Sequence, residues 1–264
     1  MDAPDPSSSL TFNYPHQRDI SKKLVSFSNK VLGGTLTDKK GFALRDCIFF
    51  GLAHKSLHTF EAIRILCEHS LVDDAFALVR TLIEGIINAT FVFFMNDATA
   101  KDYADFSDYH KWIQFRDFEE KVAPEAESAV PMAEVEEMKN KYEAVRMRYE
   151  KNRNRDWHPD NLYKRASKVD AKFGQDCKEM RALVNSAWRM ACQYVHGTAG
   201  SVLPRITVSG VSVDIRRQFR PEEAASLLSI SNRAILILLA VADDRLTGKN
   251  RDEYRTLRAA WRGK

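Results

Sequence analysis

The sequence predicts an all-α fold, a helical bundle with additional helices, and three observations support this. Glycine (11) and proline (8) are scarce among the 264 residues, which favours long helices over many short strands. Apolar residues recur at the helical spacings of three and four along most of the chain. Strand-like alternation is confined to "GTAGSVLPRITVSGVSVDIRRQF", which predicts one short irregular or hairpin segment around residues 200–219, turning near Ser209–Gly210.

Helical periodicity and chain breaks together place the elements in order. The predicted helices cover residues 15–32, 42–69, 71–95, 98–121, 132–152, 161–173, 176–196, 221–246 and 252 onward. Asp160 is a suitable N-cap for the sixth helix, and Gly174 ends it. Pro221 and the two glutamates after it suit the first turn of the eighth helix.

The domain organisation follows from the same pass along the chain. Residues 1–12 are polar and proline-containing, so we expect a disordered tail there. Residues 13–264 are expected to form a single all-α domain. Near residues 132–152 the apolar stripe is narrow and the helix is highly charged, which predicts a helical excursion standing partly off the body.

Composition indicates a soluble, cytoplasmic protein with no membrane partner. The N-terminus lacks a basic start and an apolar core, so it does not resemble a signal peptide. The most apolar stretches, residues 85–95 and 234–242, are shorter than the ~20 residues of a membrane span and are expected to be core helices. The net charge of +4 permits an anionic partner without requiring one.

The cysteines predict neither a metal site nor a disulfide. None of Cys47, Cys67, Cys177 and Cys192 forms a CxxC pair or has a histidine at zinc-finger spacing. Three lie in apolar helical context and are interpreted as small core residues in a reducing compartment. The sequence also has no Walker loop, GxGxxG or nucleophile elbow, so no cofactor is expected.

A polar stripe runs along the otherwise apolar helix over residues 71–95. Asp73, Arg80, Glu84 and Asn88 share one face, because steps of seven and four return to the same side of a helix. One interpretation is a buried Arg80–Glu84 ion pair that fixes helix packing. The alternatives are that the stripe lines a cleft or supports a site, or that it lies exposed at the edge of the bundle.

The helix over residues 176–196 carries a second polar set. Arg189, Gln193 and His196 are predicted to lie together, opposite the apolar face. They are therefore expected to face solvent, a neighbouring helix or a second copy of the chain. The apolar face is predicted to contain Met180, Leu183, Val184, Ala187, Ala191, Tyr194 and Val195.

The stretch "RMACQYVH" (189–196) resembles the Arg–x4–6–His motif of HEPN domains (higher eukaryotes and prokaryotes nucleotide-binding), which are all-α bundles. Many members are metal-independent ribonucleases of bacterial toxin and phage-defence systems, and they act as dimers whose Arg–His pairs meet at the interface. The resemblance implies RNA as a partner, a homodimer, and Arg189 and His196 as catalytic residues. Gln193, Arg80 and Glu84 are then supporting residues.

A second resemblance covers more of the chain. The stretch "DDAFALVRTLIEGIINATFVF" and the later "YVHG" are similar to a bacterial family of unknown function over about residues 45–200, which implies a fold and no activity. Met190 stands where many HEPN members have Asn, Asp or His. The alternatives are therefore that His196 is a structural helix-end residue, and that the chain is a non-catalytic binding or regulatory module.

Basic clusters suggest where an RNA backbone would run. Arg and Lys in such runs contact phosphates, although solvated helix ends have the same composition. The segment "DWHPDN", with His158, is interpreted first as a turn and helix cap. The candidate RNA-binding residues are Arg153, Arg155, Arg216 and Arg217, with further cations in the C-terminal segment beside Trp261.

Overall fold

The structure is a computed structural model, and its all-α architecture confirms the predicted fold class. It describes residues 13–33, 41–121, 130–150, 156–174, 177–197, 206–209, 212–215, 220–246 and 248–263. The helices are α1 (Tyr14–Leu32), α2 (Leu44–Glu68), α3 (Val72–Phe94), α4 (Asp97–Lys121), α5 (Met132–Glu150), α6 (Leu162–Phe173), α7 (Glu179–Leu183), α8 (Arg189–Val195), α9 (Pro221–Leu246) and α10 (Arg251–Trp261). A π-helical turn, Val184–Trp188, joins α7 to α8.

The helical hairpin of α2 and α3 forms the centre of the bundle. The chain reverses at Ser70, whose φ of 62° is left-handed, and the N–H of Leu71 donates to the carbonyl of Leu66 at 2.8 Å. Helices α4, α6, α8 and α9 also pack against α3. Every residue from 86 to 92 is consequently buried, which explains why this helix is apolar on nearly all sides.

Helices α1 and α9 are joined by a buried polar network. The hydroxyl of Ser21 donates to Asn232 Oδ1 at 2.8 Å, and the Asn232 amide donates to the backbone and side-chain oxygens of Gln17 at 3.1 Å. Asn232 is completely buried, so these bonds offset the cost of removing its amide from water. They also fix the register of α1 against α9.

A buried ion pair joins α9 to the start of α2. Arg245 donates to both carboxylate oxygens of Asp46 at 2.9 and 3.0 Å, and Asp46 is 3% exposed. The hydrogen bond from Arg245 lowers the pKa of Asp46 below its ordinary value. Asp46 also accepts from the Ala43 N–H at 3.0 Å, which completes the N-terminal end of α2.

Helix α5 packs against α4 through aromatic and charged side chains. The Tyr149 hydroxyl donates to the carbonyl of Asp102 at 2.7 Å, and Arg148 bonds Asp102 and Asp105 at 2.8 Å each. The rings of Tyr109 and Tyr142 stack at 5.5 Å. The segment predicted as a helical excursion thus lies against a neighbouring helix, and the predicted single domain stays a prediction.

The predicted hairpin is present as an antiparallel pair of short strands. Strand β1 (Ile206–Ser209) pairs with β2 (Ser212–Ile215), and Ser209 lies opposite Ser212. This pairing agrees with the predicted hairpin. The predicted disordered tail over residues 1–12 lies outside the described residues.

Two local predictions are wrong. The N-cap of α6 is Asn161, whose side chain accepts from the Lys164 N–H at 3.0 Å, whereas Asp160 bonds Lys168 at 2.5 Å. Val195, predicted on the apolar face of α8, is 44% exposed. A π turn closes over one more residue than an α turn, so the residues after it are rotated by about 100° from an uninterrupted α-helix.

Two helices are long and apolar enough to span a membrane by length and composition, α3 and α9. In the bundle 61% of the most apolar part of α3 and 72% of that of α9 are buried against other elements. Burial against protein accounts for their apolar composition.

The interpretation of the cysteines as small core residues holds in part. Cys67 is buried, whereas Cys177 and Cys192 are half-buried and Cys47 is exposed.

Candidate functional site

The exposed face of α8 brings together the three residues predicted on it. Arg189, Gln193 and His196 are all exposed. They are separated by four and three residues, so they lie along one side of the helix over about two turns. The three side chains are therefore exposed as predicted, although Val195 of the predicted packing face is exposed as well.

The opposite face of α8 is attached to α3 by aromatic contacts. The ring of Tyr194 stacks on that of Phe76 at 3.9 Å and 6°. One turn along α3, the guanidinium of Arg80 lies 5.4 Å from the centre of the Trp188 ring, a cation–π distance. Ala191 between these contacts is fully buried. Together they fix which side of α8 faces away from the bundle.

Neither the Arg189 nor the His196 side chain has a hydrogen bond or ion pair to another described residue. His196 ends the helix as its C-cap, and its backbone N–H donates to the carbonyl of Cys192 at 3.1 Å. Gly197 follows with a φ of 56°, the left-handed conformation common just after a helix. A protonated His196 would also suit the negative end of the helix dipole.

The π turn lies directly before Arg189. π turns are uncommon and occur frequently at functional sites. Without the extra residue of this turn, the side chains of α8 would be rotated by about 100° relative to α7. The turn therefore sets which side of α8 faces outward, and this side carries Arg189 and His196.

The polar stripe of α3 does not form the predicted ion pair. Arg80 and Glu84 are both half-buried, and among the described residues no ion pair joins them. Arg80 is directed to Trp188, whereas Glu84 lines a cleft with Asn88. Asp73, at the start of the stripe, lies 3.5 Å from Arg220. Of the interpretations of this stripe, the one in which it lines a cleft is therefore correct for Glu84 and Asn88.

The cleft, called here the Glu84 cleft, has two adjoining parts on either side of a shared wall. Glu84, Asn88 and Tyr103 line both parts. The smaller part, about 300 Å³, is lined in addition by Lys55 and other residues of α2. The larger part, about 720 Å³, extends to α4 and to the segment before α6. Residues lining this larger part include Phe106, Ser107, His110, Trp157, His158 and Asn161.

A buried arginine holds one wall of this cleft. Arg165 of α6 is 1% exposed and donates to both carboxylate oxygens of Asp156 at 2.7 and 3.1 Å. Its guanidinium also lies 5.1 Å from the centre of the Trp157 ring. Because Arg165 is paired twice, it fixes Asp156 and Trp157 at the edge of the cleft. Sequence reasoning missed this arginine, since a cation on an amphipathic helix is usually exposed.

His158 fills the turn expected of the "DWHPDN" segment. Its Nδ1 accepts from the N–H of Asp160 at 3.0 Å, so the neutral ring carries its proton on Nε2. Burial lowers the pKa of His158 below its ordinary value, which favours that neutral form. The ring packs edge-on against Phe91 at 5.0 Å. The interpretation as a turn is confirmed, although the residue also lines the Glu84 cleft.

The aromatic and titratable groups of the cleft influence one another. Burial raises the pKa of the Tyr103 hydroxyl, and the nearby Glu84 carboxylate raises it further. Tyr103 is therefore a neutral hydrogen-bonding group at physiological pH. His110, which sequence reasoning did not select, packs edge-on against Phe106 at 4.3 Å.

The structure does not describe the four arginines that were predicted to bind RNA. Arg153, Arg155, Arg216 and Arg217 fall outside the described residues. In the C-terminal cluster the indole N–H of Trp261 donates to the carbonyl of Ser229 at 3.0 Å, which ties that side chain to α9. Within the part of the chain that the structure describes, no three His, Cys, Asp or Glu side chains are grouped to hold a metal ion.

Comparison with known families gives one match. The profile of a family of unknown function, DUF5677, covers residues 46–210, which is more than half of the chain. The chain belongs to the DUF5677 family. The DUF5677 region begins in α2 and contains both the Glu84 cleft and the Arg189–His196 face. This agrees with the resemblance to an uncharacterised family over about residues 45–200. No curated protein and no solved structure matches the chain significantly.

Proposed function

We propose that the Arg189–His196 face of α8 binds RNA and cleaves it without a metal ion, as the resemblance to HEPN domains implies. One observation carries the proposal: both side chains are exposed on the face that the bundle does not use, and neither is paired with a described residue. Arginines with structural roles in this chain, such as Arg165 and Arg245, are paired with carboxylates. Arg189 and His196 are therefore available to a ligand.

The chemistry requires only groups that the face and the substrate provide. RNA carries its own nucleophile, the 2′-hydroxyl, which attacks the adjacent phosphorus while the bond to the 5′-oxygen breaks. A histidine can accept the 2′-hydroxyl proton or protonate the leaving 5′-oxygen. Arg189 would hold the phosphate with two parallel N–H bonds and offset the charge of the transition state. The products are a 2′,3′-cyclic phosphate and a free 5′-hydroxyl.

A homodimer would complete this site. Seven residues of helix place the Cα atoms of Arg189 and His196 about 10 Å apart along the axis. Helical side chains all lean toward the N-terminus, so both side chains lean the same way and this separation is maintained. One phosphate is therefore contacted more readily by Arg189 of one copy and His196 of another. The exposed Val195 beside them adds apolar surface for such a contact.

The alternative is a non-catalytic module that binds RNA or protein through the same face. Met190 in place of a polar residue favours it, and so does the position of the Arg–His pair, since neither residue lines the Glu84 cleft. A role in a bacterial defence or toxin system belongs to the proposal of RNA cleavage, as the resemblance to HEPN domains implies, whereas the binding module has no assigned partner.

The test is cleavage of labelled single-stranded RNA in EDTA. We expect 2′,3′-cyclic phosphate ends with the wild-type protein. His196→Ala should reduce the rate at least about 100-fold, the scale of general acid–base catalysis. Arg189→Lys should also lose activity, because lysine keeps the charge without the planar fork that grips a phosphate.

Matched controls separate the site from surface effects. His69 is likewise an exposed histidine that ends a helix as its C-cap, so His69→Ala should leave cleavage unchanged. Arg18→Lys at an exposed position on α1 is the control for the arginine. Full cleavage by His196→Ala would reject the proposed site. RNA binding that survives His196→Ala, with no cleavage by the wild-type protein at any pH, would favour the binding module.

A further inference from the structure

The Glu84 cleft is a concave site that the proposed RNA chemistry does not use. Its larger part, about 720 Å³, falls within the range of roughly 300–1,000 Å³ typical of small-molecule pockets. Its residues come from α3, α4 and the segment before α6, so several packed elements fix its shape.

Two buried polar atoms in the lining residues of this cleft have no hydrogen-bond partner in the part of the chain that the structure describes. They are the Asn88 side-chain oxygen and the Trp157 indole nitrogen, in residues that are 8% and 5% exposed. An unpaired buried polar group is unfavourable and rare in native proteins. By contrast, the buried Asn232 amide has partners for both its oxygen and its nitrogen. Protein atoms cover both, so a ligand that displaced this covering would supply the missing partners.

Glu84 places a carboxylate beside Asn88, and Lys55 lines the smaller part of the cleft without forming an ion pair with it among the described residues. Glu84 lies one turn before Asn88 on α3, so both line the same wall. Among the described residues no hydrogen bond or ion pair involves Glu84. The two nearest guanidinium candidates are engaged elsewhere, Arg80 with Trp188 and Arg165 with Asp156. The wall therefore presents acceptor oxygens that suit a donor-rich ligand.

The remaining walls are aromatic and suit a flat ligand. Tyr103 and Phe106 of α4 and Trp157 line the larger part of the cleft, and the rings of Tyr103 and Trp157 meet edge to face at 4.9 Å and 81°. Flat heteroaromatic and guanidinium groups stack on such rings. The aromatic walls define the plane in which a flat ligand would lie. The acceptor oxygens along one side define the edge of the ligand that must carry hydrogen-bond donors.

We propose that the Glu84 cleft binds a planar ligand that presents two parallel N–H donors on one edge, the edge shared by guanine and guanidinium groups. The Glu84 carboxylate accepts from both donors. The Trp157 N–H, which needs an acceptor, favours guanine, because guanine carries a carbonyl oxygen next to its donor edge. The Asn88 amide adds a further polar contact. The proposal is independent of RNA cleavage at the Arg189–His196 face.

Calorimetric titration with four probes tests the edge that is recognised. Guanosine is expected to bind, and inosine, which lacks the 2-amino donor, should bind at least about tenfold more weakly. Adenosine should bind no better than inosine. Agmatine supplies the guanidinium without a base, so binding of agmatine but not guanosine would keep the site and assign its ligand to the guanidinium class.

Variants decide whether Glu84 carries the recognition. Glu84→Gln replaces one acceptor oxygen with a donor and should weaken guanosine binding at least about tenfold, with little change in melting temperature because Glu84 is unpaired. Glu222→Gln, at an exposed position on α9, is the matched control and should bind as wild type. His196→Ala should also bind as wild type. Unchanged affinity in Glu84→Gln, absence of binding by every probe to folded protein, or adenosine binding as tightly as guanosine would overturn the proposal.

Discussion

Asp170 holds the start of the segment that carries the Arg189–His196 face, and its removal should destabilise the whole bundle. Asp170 is completely buried on α6. Its carboxylate accepts from the backbone N–H groups of Met180 and Arg181 at 2.8 and 3.1 Å, and from Arg181 Nε at 3.0 Å. It therefore caps α7, although it lies on another helix.

The cost of Asp170→Ala follows from the bonds that are lost. Two buried backbone N–H groups would lack an acceptor, at roughly 1–3 kcal/mol each. Arg181 keeps the carbonyl of Cys177 at 2.8 Å and is partly exposed, so the loss of its carboxylate adds little. The sum is about 4 kcal/mol, or a fall in melting temperature of about 8–16 °C for a chain of this size. Asp170→Asn keeps one acceptor oxygen and should cost about half as much.

Thermal and urea denaturation followed by circular dichroism would measure these changes. Asp117→Ala is the control, since Asp117 makes a surface pair with Lys121 at 3.3 Å that is worth at most about 0.5 kcal/mol. A loss of less than about 1 kcal/mol in Asp170→Ala would refute the cross-helix cap. A full loss of stability in Asp170→Asn would show that the negative charge, and not the acceptor geometry, is what α7 requires.

Two further predictions concern charged residues on other helices. The hydrogen bond from Arg245 lowers the pKa of Asp46 in the folded state, so this pair contributes stability above the unfolded pKa of about 4 and loses it as pH falls through the lower folded value. The free energy of unfolding of Asp46→Asn should therefore lie below that of wild type at pH 7, and the difference should shrink as the pH is lowered below 4; a constant difference would contradict the linkage. Glu84→Gln should change the free energy of unfolding by less than about 1 kcal/mol at pH 7, because Glu84 forms no ion pair with Arg80; a loss near 3 kcal/mol in urea denaturation would show that a buried pair exists after all.

The helices were predictable because their boundaries depend on local chemistry. Pro221 begins α9 and Leu246 ends it, as the proline, the acidic first turn and the apolar period predict. The hairpin likewise follows from β-branched alternation near residue 210. The π turn was not predictable, since an apolar pattern of threes and fours fits an uninterrupted helix equally well.

The candidate site was predictable only in its own helix. The spacing of Arg189 and His196 places them on one side of α8, whereas the π turn sets the direction in which that side faces. The contact of Arg80 with Trp188 could not be predicted from helical spacing. Trp188 is distant in sequence, and it competes with Glu84, the i,i+4 neighbour of Arg80. Likewise Asp160 and Asn161 are both good cap residues, and Lys168 decides between them by binding Asp160. Such outcomes depend on tertiary contacts that one sequence does not reveal.

Helix α3 contacts α8 through Phe76 and Arg80 and lines the Glu84 cleft four residues further on. From Phe76 to Asn88 is about 18 Å along a single helix axis, and a packed helix moves as a rigid unit. A ligand that bound in the cleft and displaced α3 would therefore change the affinity with which the α8 face binds a second ligand. Thermodynamic linkage requires that occupancy of the α8 face alter cleft affinity by the same factor, so either equilibrium reports on the other.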